Sequence, residues 1–104
     1  MIIATADAVE GRRIKRVLGL AKGNSVRAKF FVTDIIAGLK NLIGGEISEY
    51  TQLMAQSREQ AIDRMIADAE KQGGNAIVGM RFTTSSIMAS ASEILAYGTA
   101  VELE

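Results

Sequence analysis

The chain has 104 residues, with 12 Lys and Arg against 12 Asp and Glu, and no His, Cys, Trp or Pro. Without Cys there is no thiolate, disulfide or zinc knuckle, and without His there is no Ser-His-Asp triad, imidazole base or imidazole metal ligand. A formal net charge of zero argues against a dedicated nucleic-acid binder, which carries a basic excess.

In chain order, the first predicted element is a short β-prone run, Ile2-Ile3-Ala4-Thr5, followed by a turn at Gly11-Arg12-Arg13. Arg12, Arg13, Lys15 and Arg16 form a basic cluster that reads as a charged edge. From Ile14 to Ala28 the chain is β-rich, and Lys22-Gly23-Asn24 reads as a turn or as a bend within one extended arm. A first helix is expected from Thr33, an N-cap with Asp34 in the first turn, through Ile35, Ile36, Leu39, Leu42 and Ile43 to a stop at Gly44-Gly45. A second, longer helix begins near Ser48. Its Ile62, Met65, Ile66 and Ala69 recur at i, i+3, i+4 and i+7, and Gly73-Gly74 ends it.

The last third alternates. Ala76, Val78, Met80 and Phe82 begin a strand, the turn of a long hairpin falls near Ser86 to Ser90, and Leu95, Tyr97, Thr99, Val101 and Leu103 form the return. Its other face, Ala96, Gly98 and Ala100, is small enough for a helix to lie close. These elements make one domain, residues 1–104: an α+β, two-layer fold with an antiparallel sheet, helices on one face and the order β-β-α-α-β-β.

Aromatic residues are only 5% of the chain, so the core is built from Ile, Leu, Val, Ala and Met. A monomer of this size and composition is marginal, which favours self-association. Ile14–Ala28 and Leu95–Leu103 are expected to supply much of the interface by β-pairing. No run approaches the ~18 apolar residues of a membrane span, and the opening MIIATADAVEG lacks the regions of a signal peptide. The expectation is a cytoplasmic protein with neither membrane nor nucleic acid as a partner.

Gly44-Gly45-Glu46, Tyr50-Thr51, Arg58, Ala61, Met65 and Ala69 run into Gly73-Gly74-Asn75-Ala76-Ile77-Val78-Gly79, and the chain closes on Glu93 and Ala96-Tyr97-Gly98-Thr99-Ala100-Val101. Together these resemble the YbjQ-like family of small bacterial and archaeal proteins over nearly the whole chain. The resemblance implies a dodecin-like subunit assembled into a pentameric ring, and it brings a heavy-metal-binding label.

Soft metals want thiolate or imidazole. This chain offers thioethers, of which Met65 and Met80 fall on apolar faces and read as core. A hard ion would need Glu46, Glu49 or Glu93 to meet around a ring axis. Gly44-Gly45-Glu46 precedes a helix but no Lys-Ser/Thr follows, so it is not a P-loop. Thr83, Thr84, Ser85, Ser86, Ser90 and Ser92 read as hydrogen-bonding groups of a hairpin or ring rim. Tyr50 and Tyr97 each offer an apolar body and a hydroxyl to a small-molecule pocket. On the helical wheel Arg58 falls between Met65 and Ala69, inside the apolar stripe, where a guanidinium must either snorkel past the sheet rim or meet a carboxylate. Glu93 is the first choice and Glu46 the second, within or between subunits. The candidate ligand-binding or interface residues are therefore Arg58, Glu93, Glu46, Tyr97 and Tyr50, with no catalytic residue, metal ligand or cofactor expected. The reading is a non-enzymatic, ring-forming homo-oligomer that binds a small ligand between subunits. The alternative is a metal-binding protein that uses carboxylates.

Overall fold

The computed structural model describes residues 1–28, 48–88 and 91–104: β1 (Ile2–Ile3), β2 (Ile14–Ala28), α1 (Ser48–Lys71), β3 (Ala76–Met88) and β4 (Ala91–Leu103). The helix expected from Thr33 to Gly44-Gly45 lies outside the described residues.

The strands form one sheet in the order β1-β3-β4-β2. β4 runs antiparallel to both of its neighbours, but β1 pairs with β3 in parallel, Ile2 opposite Ala76 and Ile3 opposite Ile77. The sheet is therefore mixed, a correction to the wholly antiparallel expectation. The reason lies in the connection: β2 and α1 intervene between β1 and β3, and so long a crossover returns the chain in its starting direction. Of the two readings of Lys22-Gly23-Asn24, the single extended arm is the one that forms. The three residues stand in register inside β2, opposite Tyr97, Ala96 and Leu95, and the irregularities fall earlier, between Ile14 and Arg16 and between Val17 and Gly19. β3 and β4 pair as the expected hairpin, from Ala76 opposite Val101 out to Met88 opposite Ala91; Ser86 stands within β3 opposite Ser92, and residues 89–90 lie outside the described residues.

Side chains alternate across a sheet, so each strand has one face for α1 and one turned away. Under α1 lie Ala21, Ile77, Met80, Ile94, Ala96 and Ala100, packed with Ala61, Met65 and Ala69 of the helix. The helix buries a row spaced by four: Ser57, Ala61, Met65 and Ala69 are all 0% exposed. Small residues in that row let the main chain come down onto β2. A Cβ added at Gly23 would run into the Met65 amide nitrogen and the Ala61 carbonyl, and would sit 2.6 Å from the Arg64 carbonyl carbon. The close approach expected over Ala96, Gly98 and Ala100 thus occurs one strand further out, because Ile77 Cγ2 already presses on Gly98, 2.6 Å from where its Cβ would stand.

Gly73 ends α1 at φ 90°. Its amide donates to Glu70 O, and the Gly74 amide donates to Ala69 O, both at 2.9 Å, the paired bonds of a Schellman stop. Asn75 then ties the chain to the end of β4: its Nδ2 donates to Leu103 O (3.2 Å) and its Oδ1 accepts from the Leu103 amide (2.7 Å). On the face away from α1, Ala76, Val78, Val101 and Leu103 are buried with Val9 and Ile14 against them. Among the described residues that small cluster covers the base of the sheet and no more. Beyond it the hairpin projects, and every residue from Arg81 to Ile87 is exposed.

Candidate functional site

The alternation that sends Ile94 and Ala96 towards α1 turns Glu93, Leu95 and Tyr97 to the opposite, open face. Pairing fixes their neighbours across three strands. Val26, Glu93 and Ser85 form one row, Asn24, Leu95 and Thr83 the next, and Lys22, Tyr97 and Arg81 the third. Asn24 Nδ2 donates to Glu93 Oε2 at 2.9 Å, which orients the carboxylate. Arg81 is held by the main chain, its Nη1 donating to Thr5 O (2.8 Å) and Met80 O (2.7 Å). A depression of about 420 Å³ is lined by Lys22, Gly23, Asn24, Glu93 and Leu95. An ammonium, an oriented carboxylate, an amide and an aliphatic wall, with a half-buried phenol in the adjoining row, suit a small polar ligand with an apolar portion.

Glu93 and Tyr97 are therefore brought onto one face. Arg58 does not join them. It is exposed on α1, which lies on the other side of the sheet, so the sheet itself separates it from Glu93 within one chain. The expectation that Arg58 lies within the buried stripe is corrected for a second reason. The buried line follows the i+4 row from Ser57, and each step of four residues turns about 40° around the helix. A wheel collapses those turns onto one disc, so Arg58 shares an angle with Met65 and Ala69 but not their level on the axis. Tyr50 stands in the first turn of α1, with its side chain outside the described residues, and Glu46 lies outside them as well.

Lys22 and Asn24 are not among the residues expected from sequence, where Lys22-Gly23-Asn24 reads as a turn or as a bend within one extended arm. The signal was present: Ala21, Gly23 and Ser25 alternate with Leu20, Lys22, Asn24 and Val26, small under the helix and larger on the open face. The basic cluster is tied to the end of β4. Glu102 meets Arg16 at 2.8 Å and Lys15 at 3.5 Å, and Arg12 Nε donates to Glu104 O at 2.8 Å.

Among the described residues no cluster of metal-ligating side chains is formed. Cys and His are absent from the chain, and no group of three or more Asp or Glu side chains placed to hold an ion occurs among the described residues. Met65 and Met80 are buried at 0% and 6% exposure on the α1 side, away from the open face.

Fold and site together define a small α+β protein in which, among the described residues, one helix lies on a mixed sheet and nothing covers the outer half of the far face. The chain belongs to the YbjQ family, also called UPF0145: a family profile described as "Putative heavy-metal-binding" matches residues 1–104. A UPF0145 protein of Methanosarcina acetivorans is 50% identical over 103 residues, covering 99% of this chain and 97% of its own length. One from Dehalococcoides mccartyi is 51% identical over 104 residues and covers 100% of both chains. One from Archaeoglobus fulgidus is 52% identical over 103 residues, 99% of this chain and 95% of its own. The crystal structure of a protein of unknown function in the DUF74 family, from Pediococcus pentosaceus, superposes with a TM-score of 0.69 over 100% of this chain and 98% of that one. At 17% identity that likeness is one of fold alone.

Proposed function

We propose that the chain is a non-catalytic subunit of a homo-oligomeric ring, five-fold by family resemblance, whose open face binds a small polar ligand where subunits meet. The observation that carries this reading is the projecting hairpin. A compact domain of this length has a radius of gyration of about 13 Å, whereas this chain has 17.1 Å and extents of 55 × 26 × 16 Å. Phe82 and Ile87 on the arm, and Val26 beside it, are 43%, 51% and 48% exposed. Among the described residues no strand pairs with the outer side of β3 beyond Met80. Apolar groups and an unpaired edge on one arm are features that a second copy would cover.

The structure changes how Leu95–Leu103 could take part. β4 is paired with β2 on one side and β3 on the other, so it can offer a neighbour side chains but no main-chain ladder. An Arg58 to Glu93 ion pair becomes a contact between copies. Multi-angle light scattering tests the reading: the expected mass is five subunit masses, and a monomer at micromolar concentration would overturn it. The ligand arm is tested by Glu93→Gln and Lys22→Ala, which should leave that mass unchanged and weaken binding of whatever small molecule co-purifies.

The family description favours a second reading, metal binding through carboxylates. Its donors would have to come from several copies around the ring axis. Elemental analysis of the dialysed oligomer separates the two readings, since a ring that only binds an organic ligand retains no stoichiometric metal.

A further inference from the structure

β2 is the outer strand of the sheet, and an outer strand offers its N–H and C=O groups to any chain that passes. In antiparallel pairing, alternate residues turn both groups away from the neighbour. Leu20, Lys22 and Asn24 do so on β2, and α1 meets each of them. Gln72 Nε2 donates to Leu20 O (2.9 Å), the Lys22 amide donates to Asp68 Oδ2 (3.0 Å), and Arg64 Nη1 donates to Asn24 O (2.6 Å). One step further on, Ser25 Oγ donates to Gln60 Oε1 (2.9 Å).

Gln60, Arg64, Asp68 and Gln72 are a single row spaced by four. Two repeats match: four helical residues advance about 6 Å and two strand residues about 6.6 Å. The close seat at Gly23 lowers the helix enough for these side chains to reach the edge. Donor, acceptor and donor thus face acceptor, donor and acceptor, one of the two outward main-chain groups at each of three successive outward residues.

Among the described residues, the outer edge of β3 beyond Met80 has no such row. Its Phe82-Thr83-Thr84-Ser85-Ser86-Ile87-Met88 carries no charge, the usual guard on an exposed edge. We infer that α1 closes the middle of β2 as a surrogate strand, and that a second copy of this chain joins instead at the β3 edge, Phe82–Met88. The second half rests on the homo-oligomer reading; the first half stands without it.

The experiment compares the wild type with Arg64→Ala/Asp68→Ala/Gln72→Ala by amide hydrogen exchange and light scattering. Opening the β2 edge should speed exchange of the Lys22 amide by about tenfold or more. It should also replace a fixed mass with one that grows with concentration, because a second free edge lets copies add without closure. Unchanged exchange and mass would overturn the proposal. Should the triple variant lose its helix by circular dichroism, Asp68→Leu against Asp68→Asn carries the test: Asn keeps an acceptor for the Lys22 amide and retains protection, whereas Leu loses it. Equal protection in both would overturn the closure. Phe82→Lys/Thr84→Lys, on the β3 edge, should dissociate the wild-type assembly and leave Lys22 protected. An assembly that survives that change would overturn the docking edge, while a wild-type monomer would overturn the ring reading and leave the exchange result to judge the closure alone.

Discussion

At the scale of single residues, two glycines do different work. Gly23 is needed for space: any Cβ there meets helix main chain, which cannot swing aside as a side-chain tip can. Gly23→Ala should therefore cost about 1–3 kcal/mol, read as a lower urea midpoint, and should weaken the hydrogen bonds of the Arg64 and Asp68 side chains to β2. Gly73 is needed for conformation: nothing lies within 4 Å of its would-be Cβ, but its φ is +90°. Gly73→Ala should cost about 1 kcal/mol, and Gly73→Asn, which tolerates a left-handed backbone, less than that. Arg58 is exposed, so Arg58→Ala should move the stability of the isolated subunit by no more than about 0.5 kcal/mol. A loss of several kcal/mol in urea titration would show that the side chain has a buried partner after all.

At the scale of elements, α1 is amphipathic along an inclined line. One i+4 row, from Ser57 to Ala69, is buried, and the neighbouring row from Gln60 to Gln72 reaches the edge of β2. Met65 is the largest member of the buried row and is wholly enclosed. Met65→Ala should cost about 2–5 kcal/mol, whereas Met65→Leu, close in volume, should cost under about 1.5 kcal/mol. Thermal unfolding of the two variants, followed at the helix band, checks the difference. The hairpin answers to other forces. Its base is held by the cores on both faces and by Arg81, whereas among the described residues the outer part of β3 is held by pairing with β4, so local opening should begin at Thr83–Ile87. Hydrogen exchange on a dissociated variant should show amides protected around Ile77 and Val101 and fast exchange at Thr84 and Ser85.

At the scale of the whole molecule, the questions are what covers the arm and what the open face holds. The chain has neither thiolate nor imidazole, its only soft donors are the thioethers of its Met residues, and no group of three or more Asp or Glu side chains placed to hold an ion occurs among the described residues. Dialysed protein should retain no stoichiometric Cu, Zn or Cd by elemental analysis, and one such ion per chain would show that donors gather only in the assembly. Among the described residues no helix is long and apolar enough to cross a membrane. The ring reading also predicts that Tyr97 and Leu95, half-buried in one chain, become inaccessible in the assembly. Tyrosine fluorescence quenching should fall on association.

Sequence by itself determined the elements whose signal is local. The stop at Gly73-Gly74, the four-residue spacing behind Met65 and Ala69, and the alternation of the last strand each depend on neighbours within a turn or a strand, and each is found where the residues put it. The family followed as well, because its motifs are contiguous. Tertiary structure alone decided three things. It set the parallel placement of β1, because no local pattern says which strand a two-residue segment will join. It set the parity that puts Glu93 and Arg58 on opposite sides of the sheet, because a register is a relation between distant segments. And it set the match between the helix row from Gln60 to Gln72 and the edge of β2, because two repeats of unlike period coincide only when a helix is laid close along a strand, which the missing side chain of Gly23 permits.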